Sequence, residues 1–204
     1  MMSRDEHPLD LLPHLRTPVE VFEQAIQFIV EGDSILDLGC GLGVLIEHLR
    51  GLRCSYRGID LRPDVIRFCR SHHGSRAGTR FEVADALELD LSSSRYDVVA
   101  ALNLLHLPNI DPVPVLRKAR EALRGGGRLI VAGPSSPDQP GRGPGYYCSA
   151  EGMEALLRHL GFGPALMARP DLGSGRAYLV VVRLPGKGRK EPPLPRSPLP
   201  GGFQ

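Results

Sequence analysis

The chain is predicted to fold as a doubly wound α/β sheet, and three observations predict it. Strand-like and helix-like stretches alternate from residue 34 to residue 132. Three glycines, Gly39, Gly41 and Gly43, join the first of these strands to the helix that follows. The last apolar segments read as a hairpin and not as another strand–helix unit. Alternation of this kind means parallel strands joined by crossover helices.

Each element has its own signal. Thr17-Pro18-Val19-Glu20 reads as a capping box with proline at the first helical position. Phe22, Ala25, Ile26 and Ile29 recur at helical spacing, which predicts a helix to about Glu31, ended by Gly32-Asp33. A strand over 34–38, a helix over 43–50, a strand over 54–60 and a helix over 63–72 follow. Strands over 79–84 and 96–102, a helix over 112–123 and a strand over 128–132 complete the alternation. Asp111-Pro112 supplies an N-cap and a first-turn proline. Residues 134–148 form a Gly/Pro-rich loop ending in Tyr146-Tyr147-Cys148. Ser149 caps a helix through Leu160, which Gly161 closes. Residues 165–169 and 176–184, about a Leu-Gly-Ser-Gly turn, predict the hairpin. From Pro185 onward there is almost no apolar content, which predicts a disordered tail. Its PxxP spacing over Pro192–Pro200 fits an SH3-like groove, and it fits a solvated tail as well. The chain therefore divides into an N-terminal cap segment and helix over 1–33, a folded domain over 34–184 and a tail over 185–204.

Composition narrows the function classes. With 204 residues, 42% of them hydrophobic, the chain can bury one full core. A net charge of +2 creates no global field toward nucleic acid or membrane. Eight arginines fall between Arg50 and Arg80, without the interleaved aromatics that stacking on single strands requires, and read as a solvated helix edge. The four cysteines form no Cys-x-x-Cys pair, and His72-His73 has no partners at ligand spacing, so no metal is expected. The segment from Met1 to His7 is charged and lacks an apolar core, and no stretch reaches the length of a membrane span. A cytoplasmic protein without membrane attachment is the expectation.

The informative segment is Leu36-Asp37-Leu38-Gly39-Cys40-Gly41-Leu42-Gly43. Its glycines permit a tight turn and let a ligand lie against bare backbone. Asp60 ends the next strand, where a carboxylate can accept hydrogen bonds from a ribose diol. The dinucleotide fingerprint Gly-x-Gly-x-x-Gly would need a glycine where Val44 stands, which disfavours an NAD(P)-dependent oxidoreductase. Asp37, inside the turn motif, would repel an anion and favour an ammonium or sulfonium, or else it holds its own loop.

This segment resembles motif I of class I S-adenosylmethionine-dependent methyltransferases, and Asp60 matches their motif II acid. Three further blocks resemble the family in order and spacing: Phe81 to Leu87, Tyr96 to His106, and Leu123 to Val131. The resemblance runs over about residues 20–184. It implies a seven-stranded Rossmann-like sheet of order 3-2-1-4-5-7-6 with a terminal antiparallel hairpin, and S-adenosylmethionine as cofactor. It implies a donor site of Asp37, Gly39, Cys40, Gly41, Gly43, Asp60 and Leu61, with Asp85 and Ala86 beside the adenine and Asn103 and Leu104 beside the methionine portion.

On the acceptor side, His106 follows the fourth strand and reads either as a general base for a hydroxyl or as a packed loop histidine. Tyr146 and Tyr147 face the same mouth as acceptor contacts, lid residues or packing, and His14 lies in the cap segment. No Asn/Asp-Pro-Pro-Tyr block follows the fourth strand and no substrate domain is inserted, so the expected acceptor is a small molecule and not nucleic acid. A module that binds the same cofactor without transferring its methyl group is the competing reading.

Overall fold

The computed structural model describes residues 18–91, 95–107, 109–135, 149–172 and 177–186. In chain order the elements are α1 Val19–Ala25, a 3-10 turn at Ile26–Phe28, β1 Ser34–Leu38, α2 Val44–His48, β2 Ser55–Asp60, α3 Pro63–His73 and β3 Thr79–Val83. They continue with β4 Tyr96–Leu102, α4 Pro112–Ala122, β5 Leu123–Pro134, α5 Ala150–His159, β6 Ala165–Asp171 and β7 Ala177–Arg183. The seven strands lie in the order β3-β2-β1-β4-β5-β7-β6, as the resemblance implies. β7 runs antiparallel between β5 and β6, and the other described pairings are parallel.

The apolar runs explain the centre. Ile35, Leu36 and Leu38 of β1 and Val98 to Leu102 of β4 are buried on both faces, as central parallel strands must be. One face carries a core of Phe22, Leu45, Ile66, Phe81 and Ile130 under α1, α2 and α3. The other carries Leu36, Leu116, Leu129, Met153 and Leu157 under α4 and α5.

Element ends depart from the sequence reading where local geometry intervenes. α1 stops at Ala25 and tightens into the 3-10 turn, because Ile29 is already extended. Pro18 occupies its N-cap without a side-chain bond, so the capping box is not seen there; Thr17 lies outside the described residues. α2 has five residues, ended by tight backbone bonds from Leu49 and Arg50 back to Ile46 and Glu47. Strand character begins at Leu123, but regular pairing with β4 starts at Arg128; residues between them bulge out, with Gly126 bonded to Leu184. Asp111 and Ser149 cap α4 and α5 through their side chains, as expected.

Seven of the eight arginines between Arg50 and Arg80 have partners within the fold. Arg57 is bidentate to Glu82. Arg70 donates twice to the Phe81 carbonyl. Arg76 collects the carbonyls of Ile46, Leu49 and Leu52 where α2 ends. Arg50, Arg53, Arg62 and Arg80 pair with Glu47, Glu31, Asp64 and Glu82. The two histidines are committed as well: His72 stacks on Phe68 at 3.8 Å, and His73 Nε2 meets the Leu42 carbonyl at 3.1 Å. Cys40, Cys54 and Cys69 are free and buried; Cys148, the hairpin turn and the chain from residue 187 lie outside the described residues. No helix among the described residues is long and apolar enough to cross a membrane.

A buried ion pair, Arg128–Asp33 at 2.7 Å, fastens the end of the sheet opposite the glycine turn. Burial raises the Asp33 pKa, and its hydrogen bond from Val30 N and the charge of Arg128 pull it down. Breaking one side of such a pair costs about 3–5 kcal/mol, because the other charge stays buried. Arg128→Met is expected to lose about that much in urea unfolding, and Arg128→Met with Asp33→Asn to recover part of it. Additive losses, with the double variant falling below Arg128→Met by all that Asp33→Asn costs alone, would show that the pair is not coupled.

Candidate functional site

The sequence residues on the donor side converge at one place. A cavity of about 670 Å³ opens where β1, β2, β3 and β4 end. Asp37, Gly39, Cys40 and Gly41 line it from the first turn, Asp60 and Leu61 from the end of β2, Asp85 and Ala86 from beyond β3, and Asn103 and Leu104 from beyond β4. Gly43 does not line it; it shapes the turn instead.

Backbone geometry accounts for the glycines. Gly39 has φ +66, which strains any side chain, and a β-carbon there would stand 2.9 Å from Leu104 Cδ1, so the Leu104 side chain would have to move. Gly43 has φ +78 as the left-handed N-cap of α2, with the His73 ring 2.8 Å from where a β-carbon would sit. Asn103, at φ 57, is the one non-glycine residue among those described with positive φ, and its N–H donates to the Ala132 carbonyl at 2.8 Å. Asparagine tolerates that conformation better than most residues.

The carboxylates are held before any ligand arrives. Asp60 Oδ2 accepts from Gly41 N at 3.1 Å, and Oδ1 from Arg62 N at 3.0 Å. This ties the end of β2 to the glycine turn and leaves about two of four acceptor positions for a ligand. Asp85 Oδ1 accepts from Leu87 N at 2.8 Å, so the residue shapes its own turn as well as lining the cavity.

Asp37 differs from the expectation of a free negative charge. Its side chain is 3% exposed and accepts a 2.5 Å hydrogen bond from the Tyr56 hydroxyl. Burial raises its pKa to about 7, against the lowering effect of the Tyr56 bond. Its charge is therefore only partly present at neutral pH. Cys40 lends the cavity its place in the turn and not a reactive thiol, because the hydrogen bond with Cys69, and then burial, push its pKa up.

His106 is where the acceptor-side expectation fails to meet the cavity. Leu107 N bonds back to the Leu104 carbonyl at 3.2 Å. Leu104 and Leu107 line the cavity wall, while Leu105 is buried in the core and His106 is not among the lining residues. The Nδ1 of His106 is buried without a partner among the described residues, and burial holds its pKa below the ordinary histidine value. Tyr146, Tyr147 and His14 lie outside the described residues.

Several lining residues were missed in the sequence. Phe22 of α1 reads there as an ordinary core residue. Leu107, Ile110 and Pro114, around the start of α4, also line the cavity. In the structure, three exposed leucines mark the cavity: Leu61, which the resemblance implies, is 60% exposed, and Leu87 and Leu107, which the sequence reading missed, are 45% and 37% exposed.

The residues fit a nucleoside carrying a cationic amino-acid arm: bare backbone at the turn, held carboxylates at the ends of β2 and β3, apolar surface around both. The comparisons agree. A family model described as a methyltransferase domain matches residues 35–127. The ubiquinone biosynthesis O-methyltransferase of Xanthomonas euvesicatoria pv. vesicatoria (strain 85-10) is 28% identical over 123 residues, 58% of this chain and 50% of the relative. The chain thus spans about half the length of the curated relatives it matches. Among solved structures, the cyclase SpnF superposes with a TM-score of 0.71 at 18% identity, over 82% of this chain and 81% of that one. The N-methyltransferase NodS from Bradyrhizobium japonicum WM9 gives 0.64 at 17% identity, over 89% and 99%. At those identities the two structures speak for the fold alone. With the sheet order, the glycine turn and its two acids in place, the chain is similar over residues 35–127 to the class I S-adenosylmethionine-dependent methyltransferases, a family of enzymes whose methyl donor is S-adenosylmethionine.

Proposed function

We propose that this chain binds S-adenosylmethionine in the cavity and transfers its methyl group to a small, neutral, largely apolar acceptor. One observation carries the reading: the glycine turn, Asp60 and Asp85 line a single cavity at the strand ends. When bound, S-adenosylmethionine supplies a sulfonium bearing the transferable methyl group. Gly39 and Gly41 would lie against it, Asp60 would accept from its ribose, and Asp85, Ala86 and Leu61 would border its adenine. Asn103 and Leu104 would meet its amino-acid arm. Methyl transfer needs the reacting atoms held in line, so most of what these residues contribute is position.

The acceptor reading rests on charge. The carboxyl and guanidinium side chains that line the cavity are Asp37, Asp60, Asp85, Asp111 and Arg62, and Arg62 is paired with Asp64. Such a lining disfavours phosphates, carboxylates and nucleic acid, whose anions it would repel. Leu107, Ile110 and Pro114 favour an apolar body. The curated relatives, named as ubiquinone biosynthesis O-methyltransferases, support a hydroxyl acceptor. Binding without transfer is the second reading, favoured by the absence of His106 from the cavity lining; turnover with an acceptor separates the two.

S-adenosylmethionine and S-adenosylhomocysteine are expected to bind at micromolar level, and NADH not to bind, in calorimetry. Asp60→Ala should weaken both by about 10- to 150-fold, the worth of hydrogen bonds to a charged group, about 1.5–3 kcal/mol. Unchanged affinity would sink the ribose assignment.

Asp37 generates a pH prediction. A cationic ligand lowers the pKa of a neighbouring carboxyl, so binding should release a proton near pH 7. S-adenosylmethionine affinity should rise as pH increases through about 7 and level off above it, with Asp37→Asn flattening the profile. Stability has the opposite slope. The folded pKa is above the unfolded value of 3.8, so wild type loses stability relative to Asp37→Asn from about pH 4 to pH 7. Parallel melting curves of the two proteins across that window would count against the raised pKa.

His106→Ala is expected to leave both cofactor affinity and the pH profile of kcat unchanged, because the side chain is off the cavity wall. A loss of about 10²–10⁴ in kcat with a hydroxyl acceptor, the usual worth of a general base, would return it to that role.

A further inference from the structure

We propose that the Phe22 ring is the aromatic surface that meets the donor's sulfonium, and that His48 holds it in place; this rests on the donor reading given above. The order of the strands sets the direction of the ligand. Asp85 and Asp60 stand beyond β3 and β2, so a nucleoside occupies that side of the cavity. The amino-acid arm then extends toward the ends of β1 and β4, where Asn103 and Leu104 lie, and the sulfur falls between.

Phe22 reaches the cavity from that second side. α1 packs against α2 and β7, on the face of the sheet that carries the glycine turn's own helix. The ring is 7% exposed and is the one aromatic side chain among the described residues that line the cavity. Behind it, the His48 ring lies parallel, with centroids 5.2 Å apart and planes 3° from each other. With one face against His48, the opposite face is what the ring can offer a ligand. That face carries the negative part of the ring quadrupole, and it attracts a cation most strongly where water is excluded.

The consequence is selectivity between substrate and product. The sulfonium of S-adenosylmethionine is charged, and the thioether of S-adenosylhomocysteine is not. A cation–π contact tightens the first and leaves the second almost untouched, so it favours loading of the donor and release of its product. Asp37 does not do this alone, since its carboxyl is engaged by the Tyr56 hydroxyl. The ring needs no proton and acts at any pH.

The test measures dissociation constants by calorimetry for three probes: S-adenosylmethionine, S-adenosylhomocysteine and sinefungin, which carries an ammonium near the sulfonium position. The proteins are wild type, Phe22→Leu, Phe22→Tyr and His48→Ala, each with its melting temperature recorded. Phe22→Leu keeps an apolar side chain and removes the π face. It should weaken S-adenosylmethionine and sinefungin by about 3- to 30-fold and S-adenosylhomocysteine by less than twofold. Phe22→Tyr should keep the wild-type preference, and His48→Ala should narrow it in the same direction by a smaller factor. Equal weakening of all three probes by Phe22→Leu would make the ring a packing wall and overturn the proposal. An unchanged preference in His48→Ala, with a narrowed one in Phe22→Leu, would overturn the part assigned to His48. Failure of wild type to bind any probe would overturn the donor reading itself, a result distinct from the others.

Discussion

The cavity depends on how closely two loops pass each other at Gly39. That residue sits at φ +66, and the Leu104 side chain of the loop after β4 occupies the space a β-carbon there would need. Asp60 fixes the same turn from the other side by accepting from Gly41 N. The turn is thereby set by its neighbours on both sides of the sheet, and so are the directions of the backbone groups that a ligand meets. A β-carbon at Gly39 would displace the Leu104 side chain and strain the left-handed backbone there. The strained backbone at Asn103 belongs to this arrangement, since its N–H is tied to Ala132 of the adjacent strand.

Most of the fold was legible because it rests on local pattern. The central strands are continuous apolar runs, and prolines and acids mark the start of α3 and α4. The end of α1 moved for a local reason, its 3-10 turn, and two other boundaries moved where long-range contacts meet them. α2 ends early where Arg76, far along the chain, gathers its last carbonyls. The start of β5 is decided by the bulge that Leu184 closes. The donor site was legible for the same reason as the strands: glycines and strand-end acids act through backbone position. The acceptor side was not, because helix faces brought in from elsewhere build it. His106 shows the difference most directly. It stands two residues from Leu104 in sequence, yet it is not among the residues that line the cavity.

The arginine-rich stretch makes the same point about charge. As a sequence it is a dense block of cations, and in three dimensions most of those cations are spent on carbonyls and carboxylates of the fold. What remains at the cavity is acidic. Four aspartates with one paired arginine make a surface suited to a cationic donor and a neutral acceptor. Burying a carboxyl costs free energy, and the pKa of Asp37, raised by burial first and by the nearby Asp60 less, is where that cost is visible. A ligand that brings positive charge relieves it.

Stability and function therefore use opposite ends of the sheet. Away from the cavity, Asp33–Arg128 and the cluster in which Asp97 accepts from Ser34 and Arg124 join β1, β4 and β5 where those strands begin. These pairs are closed within the protein and offer nothing to a ligand. At the other end the polar groups are held but not fully used: Asp60 and Asp85 keep acceptor positions in hand, and burial holds the Asp37 pKa near 7. An ion pair resists change because breaking it strands a charge, and that suits the end of the sheet that must not move. A carboxyl with unused capacity improves when a ligand arrives, and that suits the end that must bind. The parallel strands connect the two ends rigidly, so the first can hold the second in position without taking part in it.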